Sequence, residues 1–386
     1  MHVQAAGGSA AEQSAIRLIL KTLLFFNHSD FWGGAEANLF QIANALTPEY
    51  RIIIVGPSNA PLKRQCEGNR IEYHDVSLAS FRVPLLKVIS RLIKFITDIH
   101  RLCKTVRPDI LISNSSRCNL YATLFYFYRP RCAQIWILNE YQVSRAHLRL
   151  FGWIPERYVA VSEAICHFYG KPNTSIIPNA FPVAELKRAS TTLEQSKPFR
   201  VGFFGRFVRL KGIQVLIKSI HILKTRSLCV TAVLFGERSQ KEPEYFDEIR
   251  KLVSDLDLES SVEFRGFTNS VMAEISRCSI LVSPTVSEYG GPESFGRTIV
   301  EAMIAGVPVI ATNCGGAAEI IEHGITGLLV AENDAVALAD AIGILYSKPE
   351  KAQELASNAK ILVDQFDVSI VAIAYRAVFE GVDESK

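Results

Sequence analysis

The sequence lacks several patterns that would point to particular classes of protein. Its eight cysteines contain no C-x-x-C pair and no spacing typical of metal ligands, so we expect reduced, apolar thiols and no metal site. It has no dense run of Lys and Arg, and its formal net charge is only +3, so nucleic acid is not expected as a partner. These absences favour a protein of the reducing cytoplasm.

Long apolar runs are missing as well. The longest one, LYATLFYFY at residues 120–128, is far shorter than the ~20 residues that a membrane-spanning helix needs. Residues 1–15 have neither a basic start nor an apolar core, so we expect a flexible tail there and no secretory signal. The sequence therefore predicts a cytoplasmic protein that is attached, at most, to the inner surface of the membrane.

What is present is the pattern of two folded α/β domains. The chain has 386 residues, of which 48% are hydrophobic, and one core usually serves roughly 100–200 residues. Apolar strands alternate with helical spacing in both halves, which predicts two Rossmann-like, doubly wound parallel sheets. We place a tail at 1–15, an acceptor-binding domain at 16–185, a polar linker at 186–198, a donor-binding domain at 199–367 and a helix at 368–386. Ligands of such sheets bind at the carboxyl ends of the strands, so we expect the active site in the cleft between the domains.

The segment EYGGPESFGRTIVEAMIAGVPVIATNCGG carries the strongest functional signal. Pro292 sets a turn and Gly306 marks a helix end, so we predict a short helix that begins at Glu293. Its first free amides would form an anion site at the positive end of the helix dipole. These amides belong to Ser294, Phe295 and Gly296.

Glu293 and Glu301 are eight positions apart in this segment. On one helix they would differ by ~12 Å along the axis and by ~80° around it, so both could face one elongated ligand. By residue type alone, the alternative is that Glu293 caps the helix and Glu301 is solvated.

A second motif, GRFVRLKG, follows a predicted strand that ends at Gly205. Arg206 and Lys211 would supply two preorganised cations for a diphosphate group. The alternative is a pair of solvated charges in a loop.

The residues ESFGRTIVE, followed by AMIAGVPVIAT and a double glycine, resemble the hallmark of the retaining GT-B glycosyltransferases of family 4. The resemblance implies a GT-B fold and a nucleotide-sugar donor, such as a UDP- or GDP-sugar. It implies that Glu301 holds the donor ribose, Glu293 the hydroxyls of the donor sugar, and Arg206 and Lys211 the diphosphate. It also implies retention of anomeric configuration, with neither a metal nor a cofactor.

The resemblance assigns three further loops. It places Gly33–Gly34 of WGGAE beside the donor phosphate and the acceptor, although two glycines alone indicate only a turn. It places Gly266–Phe267 of VEFRGF against the nucleobase, although Phe267 would also suit a core. Many relatives have a histidine where this chain has Asn139 followed by Glu140, so we expect these two residues on the sugar or acceptor side.

The resemblance thus implies a hexosyltransferase that acts on a glycan or lipid-linked acceptor in polysaccharide or glycolipid biosynthesis. Two alternatives share the architecture: a non-catalytic subunit that binds nucleotide sugars, and a GT-B epimerase or phosphorylase. No lysine lies in a context typical of a cofactor Schiff base, which disfavours a phosphorylase.

The segment PLLKVISRLIKFITDIHRLCKTVR predicts an amphipathic helix in the first domain. Its basic stripe would face anionic lipid headgroups, and the alternative is an ordinary solvated helix face. The stripe consists of Lys87, Arg91, Lys94, Arg101 and Lys104. The opposite, apolar face is expected to enter the core, and consists of Leu85, Ile89, Leu92, Ile96, Ile99, Cys103 and Val106.

Overall fold

The computed structural model of the protein describes residues 20–76, 85–126, 132–189 and 198–383. Within them the chain forms two parallel sheets, as the alternating pattern predicts. The predicted tail at 1–15 lies outside these residues.

The first sheet has seven parallel strands in the order β3-β2-β1-β4-β5-β6-β7. The apolar runs near residues 22, 51, 110 and 134 are all strands of this sheet. The strands are Thr22–Phe26 (β1), Arg51–Gly56 (β2), Ile71–Asp75 (β3), Ile110–Ser113 (β4), Ala133–Leu138 (β5), Arg157–Ala160 (β6) and Thr174–Ile176 (β7). The helices that connect them are Gly34–Leu46 (α1), Pro61–Cys66 (α2), Leu85–Val106 (α3), Ser116–Tyr126 (α4), Arg145–Phe151 (α5) and Glu163–Tyr169 (α6).

Helix α7, Val183–Ala189, leads to the second sheet, whose six parallel strands follow the order β10-β9-β8-β11-β12-β13. Its strands are Phe199–Phe204 (β8), Val230–Phe235 (β9), Val262–Gly266 (β10), Ile280–Ser283 (β11), Val309–Thr312 (β12) and Leu328–Val330 (β13). Its helices are Ile213–Thr225 (α8), Pro243–Asp255 (α9), Val271–Ser276 (α10), Arg297–Ala305 (α11), Gly315–Ile320 (α12), Ala335–Ser347 (α13) and Pro349–Leu362 (α14).

The central strands are buried along their length, which explains why they read as nearly continuous apolar runs. All five residues of β1 and all four of β4 and β11 are buried. A parallel sheet covered by helices on both faces needs apolar side chains on both sides of each strand. The sheets therefore hold the loops at their carboxyl ends in fixed positions.

The last helix, Val368–Asp383 (α15), packs on the first domain although it follows the second in the chain. Phe379 contacts Tyr50 with ring centroids 5.8 Å apart, and Arg376 pairs with Glu49 at 2.8 Å. The sequence pattern does not predict where this helix packs. The chain thus crosses between the domains twice, near residues 181–198 and again near 366–368.

The predicted linker at 186–198 begins inside a helix. Residues up to Ala189 belong to α7, where Val183 is buried and Lys187 pairs with Asp364 at 2.5 Å. These long-range contacts give a polar segment a helical structure that its sequence pattern did not indicate. The remaining residues, 190–197, lie outside the described part of the chain.

The amphipathic helix is present as α3, but its buried face differs from the prediction. Phe95 and Ile99 are buried, whereas Ile96, predicted in the core, is 44% exposed, and Ile93 is 60% exposed. Phe95 occupies the core position because its ring packs on Tyr121, with centroids 4.5 Å apart. Among the described residues, no helix combines the length and the apolar character needed to cross a bilayer.

Candidate functional site

The loops that carry the predicted site residues meet between the two domains. Arg206, just after β8, lies 5.6 Å from the ring centre of Phe31 in the loop after β1. Gly34, at the start of α1, is so near Arg297 of the second domain that a Cβ there would lie 2.9 Å from Cδ of the arginine. Glycine at this position thus permits the close approach of the domains.

The helix predicted to begin at Glu293 begins at Arg297 instead, so Glu293 and Glu301 are not on one helix. Gly296 is the N-cap residue, with φ of +99°, and the segment before it is a loop. This moves the open amides of the helix start from residues 294–296 to Arg297 and Thr298. The predicted helix end is confirmed, because Gly306 caps α11 in the left-handed conformation.

Contacts distant in the sequence hold residues 293–296 outside the helix. Phe295 is buried, stacks on Phe181 with centroids 6.4 Å apart, and meets Phe366 edge-on at 5.6 Å. The amide of Gly316 at the start of α12 donates to the carbonyl of Glu293 at 2.8 Å. The loop is therefore fixed by Phe181 and Phe366, which lie in the two segments that cross between the domains, and by α12.

Lys211 and Glu293 form an ion pair in the structure. Nζ of Lys211 lies 2.5 Å from Oε2 of Glu293, and the side chains are 24% and 19% exposed. Lys211 ends a short 3-10 helix, and Gly212 precedes α8. The two residues predicted to hold the diphosphate and the sugar are thus neighbours. An anion that enters the site would compete with Glu293 for the ammonium group of Lys211.

Glu301 lies one turn along α11 from Arg297, at 3.8 Å between Nη2 and Oε1, with its side chain 18% exposed. Burial raises the pKa of Glu301 and the charge of Arg297 opposes this rise. In the described part of the chain no hydrogen-bond donor reaches the carboxylate at bonding distance. The carboxylate can therefore accept hydrogen bonds from a ligand.

Asn139 and Glu140, after β5, are bound to the start of α4. Nδ2 of Asn139 donates to the carbonyl of Asn114 at 2.9 Å, and the amide and hydroxyl of Ser116 donate to Oε1 of Glu140 at 2.8 and 2.5 Å. These contacts use Nδ2 of Asn139. Its side-chain carbonyl oxygen is the atom that can accept a hydrogen bond from a hydroxyl of a ligand. Ser116 was not predicted, because nothing in the sequence links it to Glu140.

His28, after β1, is held in the same region of the first domain. Its Nδ1 lies 2.8 Å from the hydroxyl of Ser115, and burial, with a smaller contribution from Arg117, lowers the pKa of His28 to about 4. The ring is therefore neutral at physiological pH.

Phe267 is 53% exposed and so does not belong to the core. With Phe235, Arg265 and Thr268 it lines a cavity of about 470 Å³. Gly266 precedes it with φ of +69°, and a Cβ at Gly266 would meet nothing within 4 Å, so backbone conformation is the reason for glycine there.

Two contacts across the cleft were not predicted. The carboxylate of Glu319 on α12 accepts hydrogen bonds from the amides of Glu163 and Ala164 at 2.7 Å each, which ties α12 to the start of α6. The ring of Tyr141 packs on Gly291, where a Cβ would lie 2.6 Å from Cγ of the tyrosine. Both contacts lie beside the loop that carries Glu293. No sequence pattern connects residues so far apart.

No group of three or more His, Cys, Asp and Glu side chains arranged to hold a metal occurs in the described residues. The cations near the predicted diphosphate position are Arg206 and Lys211. The absence of a metal or cofactor requirement stays a prediction.

Comparisons with known proteins define the class. Residues 186–361 match the model of the family described as glycosyl transferases group 1. The chain is 36% identical over 167 residues to D-inositol 3-phosphate glycosyltransferase of Pseudarthrobacter chlorophenolicus, covering 42% of this chain and 38% of that one. It is 24% identical over 353 residues to lipopolysaccharide core biosynthesis glycosyltransferase LpsE of Rhizobium meliloti, covering 89% and 94%.

Among solved structures, Anabaena HepE in complex with UDP and glucose superimposes with a TM-score of 0.78 at 25% identity, covering 93% of this chain and 99% of that one. The chain therefore has the two-domain GT-B fold. The chain spans less than half the length of the D-inositol 3-phosphate glycosyltransferases that it matches, at 38–48% of each.

Proposed function

We propose that the chain is a retaining glycosyltransferase that transfers a hexose from a nucleoside-diphosphate sugar to an acceptor bound by the first domain. The observation that carries this proposal is the arrangement of Lys211, Glu293 and Glu301 at the domain boundary. Lys211 is a cation bound to the carboxylate of Glu293, and Glu301 is a second carboxylate that is open to ligands. All three lie within the residues that match the glycosyl transferases group 1 model. These groups match the diphosphate, sugar and ribose of one donor.

The chemistry follows from these groups. Arg206, Lys211 and the first amides of α11 stabilise the charge that develops on the departing diphosphate. In this proposal Lys211 shifts from Glu293 to the diphosphate, and the Glu293 carboxylate then binds hydroxyls of the donor sugar. The acceptor hydroxyl attacks from the side of the leaving group, and a phosphate oxygen takes its proton. Glu293 then orients the sugar and does not act as a base.

The donor is proposed to be a UDP-sugar. HepE, whose structure holds UDP and glucose, shares the fold at 25% identity. Half-exposed Phe267 offers an aromatic face for the base, beside the cavity that it lines. LpsE, similar over most of both chains, is named for lipopolysaccharide core biosynthesis, which supports a glycan or lipid-linked acceptor and a role in polysaccharide biosynthesis.

The first prediction is that the purified chain releases a nucleoside diphosphate from one member of a panel of UDP- and GDP-sugars. We expect the same rate in EDTA, because the charge at the diphosphate comes from side chains and helix amides. The measurement is the release of nucleoside diphosphate, followed with a coupled assay. Tight binding of a donor without release would instead indicate a non-catalytic binding subunit, and loss in EDTA restored by magnesium would contradict metal-free catalysis.

We further propose that the first domain contacts an anionic membrane at the cytoplasmic face through α3. Lys94 is exposed between the exposed apolar residues Ile93 and Ile96, and Arg101 and Lys104 are exposed further along. Apolar side chains flanked by cations are typical of helices that lie on a lipid surface. Such contact would bring the site to a lipid-linked acceptor.

The second prediction is that replacing Lys87, Arg91 and Lys94 by Gln reduces flotation with anionic liposomes at low salt by about 100-fold in partition coefficient. Each cation near such a surface contributes about 1 kcal/mol. The unchanged protein should not float with vesicles of neutral lipid, nor with anionic vesicles at high salt. A control triple substitution to Gln on the second domain should float as the parent does, at Lys218, Arg250 and Lys348. Equal flotation of both triple variants would contradict the assignment of α3.

A further inference from the structure

Arg297 is the first residue of α11 and lies beside Glu301, the carboxylate proposed to hold the ribose. The two side chains are 14% and 18% exposed. Their separation of 3.8 Å is longer than a hydrogen bond, so the guanidinium acts on the carboxylate by charge and leaves its oxygens open. Arg297 is the charged group whose field acts on Glu301 within the described residues.

The guanidinium is held by residues that come before the second domain. Nη1 donates to the carbonyl of Ala180 at 3.2 Å, and Cζ lies 4.1 Å from the ring centre of Phe181. The amide of Ala180 in turn donates to Oδ1 of Asn38 on α1 at 2.7 Å. The aliphatic part of Arg297 passes Gly34, where a Cβ would approach it to 2.9 Å. The position of this charge is therefore set by the first domain.

These contacts have a consequence for Glu301. Burial raises the pKa of its carboxyl, and Arg297 holds that pKa down. A ribose diol donates two hydroxyl hydrogens, and an ionised carboxylate accepts both, whereas a protonated carboxyl gives up part of its acceptor capacity. The charge of Arg297 therefore favours the form of Glu301 that is the better ribose ligand.

We propose that Arg297 is a positioning residue whose charge, 3.8 Å from Glu301, prepares that carboxylate for the donor ribose, and that it does so only while the first domain is docked. The proposal rests on the proposed function, because it takes Glu301 as the ribose ligand. It goes beyond it in linking donor affinity to the contact between the domains. The alternative interpretation of the same contacts is that Arg297 only joins the domains through Ala180 and Phe181.

The third prediction separates these readings by calorimetric titration with UDP. In Arg297→Met the pKa of Glu301 rises, so its ionised fraction falls as pH falls, and we expect UDP to bind about 10- to 100-fold more weakly than to the unchanged protein near pH 6.5. More of the carboxyl is ionised at pH 9 than at pH 6.5, so the difference is expected to be smaller there. Arg297→Lys keeps a positive charge but loses the guanidinium contacts with Ala180 and Phe181, so near pH 6.5 it should bind UDP less tightly than the parent and more tightly than Arg297→Met.

A double-mutant cycle gives a second readout. In a Glu301→Gln background, which cannot titrate, Arg297→Met should have little further effect on UDP affinity. The matched control is Arg157→Met, since Arg157 also donates to a carbonyl, that of Gly381, at 2.9 Å, but on β6. This variant should bind UDP as the parent does.

A loss in Arg297→Met that is equal at both pH values and persists in the Glu301→Gln background would overturn the proposal and leave a structural tie. Binding of UDP by Arg297→Met with parental affinity at both pH values would also overturn it. If the unchanged protein fails to bind UDP, the proposed donor is wrong, which is a different outcome from either of these.

Discussion

Replacing Lys211 by alanine is expected to weaken the binding of UDP by about 10- to 100-fold. A charge-assisted hydrogen bond contributes about 1.5–3 kcal/mol, and each 1.4 kcal/mol is a factor of ten in affinity. Lys211 is only 24% exposed, so its ammonium is poorly replaced by water when it is removed. Arg206, which is exposed, would remain as a cation at the diphosphate and limits the loss.

Calorimetric titration with UDP measures this effect directly. Glu301→Ala should weaken the binding of UDP by a similar factor, because it removes the proposed ribose ligand. Titration with inorganic pyrophosphate should distinguish the two variants. Pyrophosphate has no ribose, so we expect only Lys211→Ala to bind it more weakly. Lys218→Ala is the matched control, since Lys218 is an exposed lysine of α8 in the same domain. Unchanged UDP affinity in both Lys211→Ala and Glu301→Ala would remove the donor-site assignment.

Much of the fold was predictable from local patterns. The apolar runs TLLFF, RIIIV and VTAVLF are strands because a parallel sheet buries both of their faces, and the glycines that follow lie at its carboxyl edge. Gly306 was predictable as a helix end because a left-handed cap favours glycine. Such signals depend on residues adjacent in the chain. They sufficed to place the loops of the site at one edge of each sheet.

What failed depends on contacts that no local pattern contains. The sequence predicts a helix from Glu293 because a proline and a serine stand there, but Phe295 is drawn into the core between Phe181 and Phe366. The helix therefore begins later, at Arg297.

Arg297 itself was not singled out, since an arginine on a helix is usually solvated. Its hydrogen-bond partner, the carbonyl of Ala180, is 117 positions away. The same limit applies to Glu319, whose carboxylate accepts from amides more than 150 positions earlier. The chain order thus predicts which side chains line the cleft, and the packing between domains decides how they are oriented.

The ion pair between Lys211 and Glu293 makes the two residues respond in opposite ways to donor binding. Without a donor the lysine is bound to the carboxylate at 2.5 Å. With a donor the lysine is expected on the diphosphate, and the carboxylate on the sugar. A variant that lacks the carboxylate has a free lysine before the donor arrives, and it also has one negative charge fewer near the phosphates.

Glu293→Gln is therefore expected to lower turnover by about 100-fold, the cost of losing a group that aligns the reacting sugar, without weakening UDP. Its UDP affinity should equal or exceed that of the parent, in contrast to Lys211→Ala. Donor turnover and calorimetric titration on the same preparation measure the two effects. The matched control is Glu248→Gln, because Glu248 also accepts from a cation, Arg209, at 2.5 Å, but is exposed on α9. That variant should keep parental turnover. If Glu293→Gln bound UDP as weakly as Lys211→Ala, the carboxylate would serve to hold the lysine in place for the diphosphate, and its assignment to the donor sugar would be wrong.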